Sequence, residues 1–240
     1  MAHDYRIALV AAMEREIAPF VRGWNLSERE HDGRKYQFFE NKDVVVVCGG
    51  IGSESARRAT EAVISLYRPA SMQSVGLAGG LDPKLKVGAI FSPRWVVDAR
   101  DGSRADTAKG DGVLVSAGEI ASVAQKARLA HAYGAQAVDM EAASVAQGAE
   151  AHGLPFSALK AISDESDFAM PPMNEFISHD GVFRTKSFVL FAAFRPWLWG
   201  KMIRLGIDSA RAVRALCAEL EKEVETETMS RASTLHPVNL

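Results

Sequence analysis

The chain has 240 residues, 48% of them hydrophobic and 24% charged, with a formal net charge of −2. That length can bury a large core in one α/β domain, and the composition is that of an ordinary soluble globular protein. The near-neutral charge balance argues against general nucleic-acid binding.

Met1-Ala2-His3-Asp4-Tyr5-Arg6 leads straight into an apolar strand without the pattern of a signal peptide, so a cytoplasmic protein is expected. Arg6-Ile7-Ala8-Leu9-Val10-Ala11-Ala12 reads as a strand buried on both faces, and Glu14 to Val21 as a short helix. Tyr36-Gln37-Phe38-Phe39 reads as a hairpin partner of the β-branched strand Val44-Val45-Val46-Val47-Cys48. Ser53 is the expected N-cap of a helix that turns Ala56, Ala59, Val63, Ile64 and Tyr67 inward and is stopped by Pro69. Strands are expected at 72–77, 89–91, 95–97, 113–116 and 156–162, and helices at about 119–133, 139–152 and 207–225.

Strands alternating with helices indicate an α/β fold with a mixed, mostly parallel central sheet wrapped by helices in three layers. Residues 1–226 are expected to form one domain, and Glu227 to Leu240 a polar C-terminal tail. Cys48 and Cys217 fall in apolar patterns and are expected as reduced core residues. No Cys/His spacing matches a metal site, and no apolar run reaches the roughly 18 residues of a spanning helix.

Two carboxylates carry the chemistry. Val138-Asp139-Met140-Glu141-Ala142-Ala143 sets Glu141 at a helix start, and Ala161-Ile162-Ser163-Asp164 sets Asp164 at a strand end. One can hold sugar hydroxyls while the other protonates a leaving base, the division of labour that cleavage of an N-glycosidic bond needs. Glu16, in Ala12-Met13-Glu14-Arg15-Glu16, is a third acid directly after the first strand. Blander readings stand beside each. Glu141 could simply favour the positive end of its helix, Met140 could be core packing, and Asp164 with Glu165 and Asp167 could be a solvated acidic loop.

Gly49-Gly50-Ile51-Gly52 and Gly76-Leu77-Ala78-Gly79-Gly80 each follow a strand, so their amides could line a polar or anionic ligand, or only make tight turns. Neither matches a dinucleotide fingerprint or a P-loop, which weakens a nicotinamide-dependent reading. Glu16, Gly50, Gly79, Glu141 and Asp164 could all converge at the carboxyl ends of the strands, where open α/β sheets bind ligands.

These motifs, in this order over about residues 5–170, resemble the nucleoside phosphorylase superfamily, and most nearly its methylthioadenosine/S-adenosylhomocysteine nucleosidase type. The resemblance implies a phosphorylase/hydrolase-like fold. In it Asp164 protonates or hydrogen-bonds N7 of a departing purine, with Ser163 orienting it. Glu141 holds the ribose hydroxyls, Met140 packs against sugar and base, and Glu16 positions or deprotonates water. Gly50, Ile51, Leu77 and Gly79 fall in the motifs that line the substrate. The pattern also departs from the family. Leu77 stands where nucleosidases carry a Ser that holds the nucleophile. The Arg of bacterial phosphorylases is missing near Ser74 to Gly76, and Ala117-Gly118-Glu119-Ile120 lacks the aromatic residue that nucleosidases place on the purine.

Between Arg184 and Arg214 the chain sets Arg184, Lys186, Arg195, Lys201, Arg204, Arg211 and Arg214 against the single acid Asp208, with Phe188, Phe191, Phe194, Trp197 and Trp199 among them. This is either an outer docking helix or a basic, Trp-bearing wall for anionic lipid or an amphiphilic substrate. With Met170-Pro171-Pro172-Met173, the segment resembles the hopanoid-biosynthesis-associated branch of the superfamily, which implies adenosylhopane as substrate and peripheral contact with the inner membrane. The expectation is thus cleavage of a purine, in particular adenine, nucleoside without metal or redox cofactor. Phosphate is a candidate co-substrate, phosphorolysis is slightly favoured over hydrolysis, and the resemblance implies a homo-oligomer. The alternatives are an ordinary methylthioadenosine/S-adenosylhomocysteine nucleosidase and a non-catalytic nucleoside or lipid binder on the same fold.

Overall fold

The computed structural model describes residues 7–178 and 180–234. In chain order the first elements are β1 (Ile7–Ala11), α1 (Glu14–Ile17), β2 (Asn25–His31), β3 (Arg34–Asn41), β4 (Val44–Cys48), α2 (Ser53–Tyr67) and β5 (Ser71–Gly80). There follow β6 (Ile90–Phe91), β7 (Trp95–Asp98), β8 (Arg104–Asp106), β9 (Val113–Ser116), α3 (Val123–Tyr133), β10 (Ala137–Asp139) and α4 (Ala142–Ala151). The chain ends with β11 (Phe156–Asp164), a short 3-10 helix (Asn174–Phe176), α5 (Thr185–Ala193) and α6 (Pro196–Thr234).

The strands form a mixed sheet in the order β2-β3-β4-β1-β5-β10-β9-β7-β8, with β11 paired to β5 and β6. Parallel pairing joins β4, β1, β5 and β11 and also β10, β9 and β7, while antiparallel hairpins finish both edges. Because β1 and β4 are apolar at every position, each feeds both faces. Ala8, Val10, Val45 and Val47 pack with α2 and α4, whereas Leu9, Ala11, Val44 and Val46 pack with Ile17 and with Leu216 and Leu220 of α6. Helices therefore cover the sheet on both sides, in three layers.

Several expected boundaries move. The helix expected over residues 14–21 is regular only to Ile17. Strands β2, β8 and β10 and helix α5 were not read from the sequence, being short or polar. The last helix begins at Pro196 and continues to Thr234, inside the segment expected as a tail; residues 235–240 lie outside those described, as do 1–6. Gly52, not Ser53, occupies the N-cap of α2, at a φ of 92° that favours glycine; having no side chain it makes no side-chain cap, and its amide donates to Glu141. The inward set of α2 is buried as read. Among the described residues no helix is long and apolar enough to cross a membrane. Both cysteines are free, Cys217 buried in the core and Cys48 partly so.

Helices α2 and α4 lie close because both are rich in small residues. A methyl added at Gly148 of α4 would stand 2.5 Å from Thr60 Cγ2 of α2. Alanine is favoured over glycine inside a helix by about 1 kcal/mol, but overpacking a dense core costs about 1–3 kcal/mol. Gly148→Ala is therefore expected to lower the melting temperature, and Thr60→Ser in the same chain to recover most of the loss. A Gly148→Ala variant that melts higher than wild type would show that the two helices can part without cost.

Candidate active site

The carboxyl ends of β1, β5, β10 and β11 open into one cleft of about 160 Å³. Glu16, Ile51, Leu77, Gly79, Met140, Glu141, Ser163 and Asp164 all line it. Of the residues expected at the site, only Gly50 is not on that lining. Ile120, in the segment that lacks the aromatic residue, lines the cleft too.

Glu16 enters from α1 and is buried against β5, where a Cβ on Gly76 would stand 3.0 Å from Glu16 Oε2. Only glycine at that position leaves room for the acid. Burial, and then the neighbouring Glu141, push Glu16 up from 4.5 to about 8, although Lys160 and Arg15 oppose the shift. Glu141 holds the N-cap position of α4 but caps nothing in its own helix. Its Oε1 accepts the Gly52 amide at 2.7 Å and its Oε2 the Met140 amide at 3.2 Å. Burial, followed by repulsion from Asp139, raises it to about 7.

Asp164, at the end of β11, is 2% exposed, so it is no solvated loop. Ser163 Oγ donates to its Oδ1 at 2.7 Å, which agrees with the orienting role expected of Ser163. Its Oδ2 accepts from Lys126 Nζ, and Lys126 Nζ donates as well to Glu165 O at 2.7 Å. Gly79 lies inside β5 rather than in a turn, and a side chain there would meet Asp164 Oδ2 at 3.2 Å. The two glycines thus make space for two carboxylates.

One expectation fails. The amides of Gly49, Gly50, Ile51 and Gly52 are already engaged, by Ala11 O (3.0 Å), Ala12 O (2.9 Å), Gly181 O (2.8 Å) and Glu141 Oε1 (2.7 Å). They therefore do not form an anion cradle; the loop instead ties β1, the segment at Gly181 and Glu141 together.

Three functional residues escaped the sequence reading. Lys126 on α3 and Lys160 on β11 are both buried ammonium groups, and Asp139 is the buried partner of Lys160 at 2.9 Å. A lysine within the apolar strand Ala158-Leu159-Lys160-Ala161-Ile162 was a legible signal. Lys126, in a helix with mixed polarity, gave none. Among the described residues no group of three or more His, Cys, Asp or Glu side chains could hold a metal ion.

A buried three-acid cleft at the carboxyl edge of an α/β sheet marks a small-molecule site. Residues 6–117 and 107–194 match the phosphorylase superfamily, and the chain belongs to it. It is 36% identical over 95 residues to a 5'-methylthioadenosine/S-adenosylhomocysteine nucleosidase of Marinomonas sp. (strain MWYL1), an alignment over 38% of this chain and 41% of that one. It is 26% identical over 202 residues to an enzyme of the same name from Exiguobacterium sp. (strain ATCC BAA-1283 / AT1b), which spans 68% of this chain and 86% of the relative. In fold it is similar to the futalosine hydrolase of Helicobacter pylori strain 26695, with TM-score 0.64 and 21% identity, covering 91% of this chain and 98% of that chain.

The raised acids make a stability prediction. A carboxyl that binds its proton more tightly when folded contributes stability that is full below its ordinary value and lost as pH rises through the folded value. For Glu16 that window runs from 4.5 to about 8. Wild-type protein should therefore lose melting temperature across that window, and Glu16→Gln should lose distinctly less. Equal slopes in thermal melts over the pH series would mean that Glu16 ionises without cost.

Proposed function

We propose that the protein hydrolyses the N-glycosidic bond of an adenine nucleoside whose 5′ substituent is lipophilic. The observation that carries the reaction is the convergence of Glu16, Glu141 and Asp164 in one cleft. Asp164, oriented by Ser163, faces the departing purine and passes a proton to N7. Glu141 accepts hydrogen bonds from the ribose hydroxyls, and Glu16 takes a proton from the attacking water. Such a step places a donor where negative charge leaves and carboxylates where positive charge gathers, so it binds the transition state better than the substrate.

Water is favoured over phosphate by the engaged loop amides and by the pairing of the buried ammonium groups Lys126 and Lys160 with Asp164 and Asp139. A multiply charged oxyanion needs several donors aimed at it. Adenine release should therefore proceed at the same rate with and without phosphate and yield a free reducing sugar. A sugar 1-phosphate, formed only when phosphate is present, would assign phosphorolysis instead. Asp164→Asn should lower turnover by about 10² or more through loss of the acid; wild-type turnover would remove Asp164 from that role.

The lipophilic substituent rests on a second cavity. A groove of about 660 Å³ shares Met13, Glu16, Leu77, Ile120 and Phe183 with the cleft and runs out between α5 and α6 along Phe188, Val189, Met202, Leu205 and Val213. A small nucleoside leaves that apolar groove without an occupant, whereas a polycyclic hydrocarbon tail such as that of adenosylhopane matches it. Where α5 ends and α6 begins, Phe194 is 76%, Trp197 72% and Trp199 50% exposed, which disfavours the core-docking reading of those tryptophans. Lys186, Arg195, Lys201 and Arg204 stand among them, a composition suited to an anionic lipid surface. Each basic residue near such a surface contributes about 1 kcal/mol, weakened by salt. The Trp197→Ala/Trp199→Ala double variant should lose binding to anionic vesicles at low salt and should impair a long-tailed adenine nucleoside more than adenosine. Unchanged vesicle binding, or equal losses on both substrates, would defeat the lipid reading.

A further inference from the structure

We infer that Lys126 is a positioning residue that also supplies the proton reaching the purine through Asp164. The inference rests on the nucleoside-cleaving function proposed above. Lys126 is the one buried residue of α3, brought inward in the first turn after the capping box at Ser122. Its ammonium touches Asp164 Oδ2 and Glu165 O, and its stem lies against Gly79, whose added Cβ would be 3.4 Å from Lys126 Cε. A buried ammonium is costly unless it is paired and hydrogen-bonded, and this one is both.

Both oxygens of Asp164 act as acceptors, Oδ1 from Ser163 Oγ and Oδ2 from Lys126 Nζ. Of these two donors, an ammonium gives up a proton far more readily than an alcohol, so Lys126 is the one that can hand a proton to Asp164. When the bond from the sugar carbon to purine N9 breaks, its electron pair goes to the base. Asp164 takes a proton from Lys126, which is left as a neutral amine, and passes it to purine N7. The water that adds to the sugar loses its proton to Glu16, and Lys126 regains a proton from solvent once the base departs. Beside a simple anchor for α3, this assignment makes a distinct demand: only reactions whose leaving group needs protonation should depend on the Lys126 proton.

Two probes separate the roles, adenosine and 4-nitrophenyl riboside, whose phenolate leaves without protonation. Lys126→Ala should release adenine about 10²-fold more slowly than wild type, yet release nitrophenolate at nearly the wild-type rate, and methylammonium should restore part of the adenine rate. Lys126→Arg keeps the charge and the pairing to Asp164 but does not part with its proton. It should remain slow on adenosine and fast on the nitrophenyl riboside, which decides the matter even if Lys126→Ala fails to fold. Full adenosine activity in Lys126→Arg would overturn proton supply in favour of positioning alone. Equal losses on both probes would overturn it in favour of a structural anchor. A wild-type enzyme that releases no adenine from any nucleoside would instead overturn the proposed function, and this assignment with it.

Discussion

The ammonium of Lys160 lies beneath the cleft, 2.9 Å from Asp139 Oδ2 and 3.0 Å from Ser74 Oγ. Ser116 Oγ donates to Asp139 Oδ1 at 2.6 Å, the Ala142 amide donates to Asp139 Oδ2 at 2.9 Å, and the Ala143 amide donates to Ser116 Oγ at 2.9 Å. One buried ion pair thus joins β11, β10, β5 and β9 to the first turn of α4. Removing one partner of such a pair leaves a bare charge and costs about 3–5 kcal/mol, so the group holds as a unit or not at all. Glu141 follows Asp139 by two residues, and its placement is inherited from this network. The same ammonium opposes the upward shifts of Glu16 and Glu141, which sets a limit on how reluctant those acids are to ionise.

The main strands and helices were readable because β1 and β4 are apolar at every position, β11 holds the apolar stretch Ala158 to Ile162 broken only by Lys160, and α2 carries a clean inward stripe. The positions of Glu16, Glu141 and Asp164 were readable for a related reason: Glu16 follows β1 within a few residues, Asp164 closes β11, and Glu141 opens α4. What escaped were contacts between elements far apart in sequence. Lys126 is 38 residues from Asp164, and nothing local distinguishes it from a solvated helix lysine. The glycines were legible as glycines but not in their use. Gly76 and Gly79 look like loop formers, yet they lie inside β5 and leave space for carboxylates. Gly49 to Gly52 look like an anion cradle, yet their amides close onto the protein itself.

Leu77 takes on meaning beside the groove. It lines both the charged cleft and the apolar groove, so it stands at the boundary between them. A serine there would add a hydrogen-bonding group at the point where an apolar substituent passes. A leucine removes that group and extends the apolar wall to the reacting centre. Under the proposed lipophilic substrate, the departure from the nucleosidase pattern and the long apolar groove have a single cause, with the basic, aromatic surface of α5 and α6 at the groove's outer end.

The cleft also sorts its acids by environment. Asp164 accepts from an ammonium and a hydroxyl, whereas Glu16 and Glu141 are buried close to each other and Glu141 is repelled by Asp139 as well. Burial, and then the neighbouring carboxylates, make those two carboxyls resist ionisation, whereas positive charge nearby, such as that of Lys160, favours it. As the glycosidic bond stretches, the sugar becomes cationic and supplies that charge within the cleft. In the proposed reaction the ionised form of Glu16 is the base that takes the proton water loses, and the developing sugar charge strengthens Glu141 as an acceptor at the same time. Interactions that strengthen only as the sugar charge develops lower the barrier without tightening substrate binding.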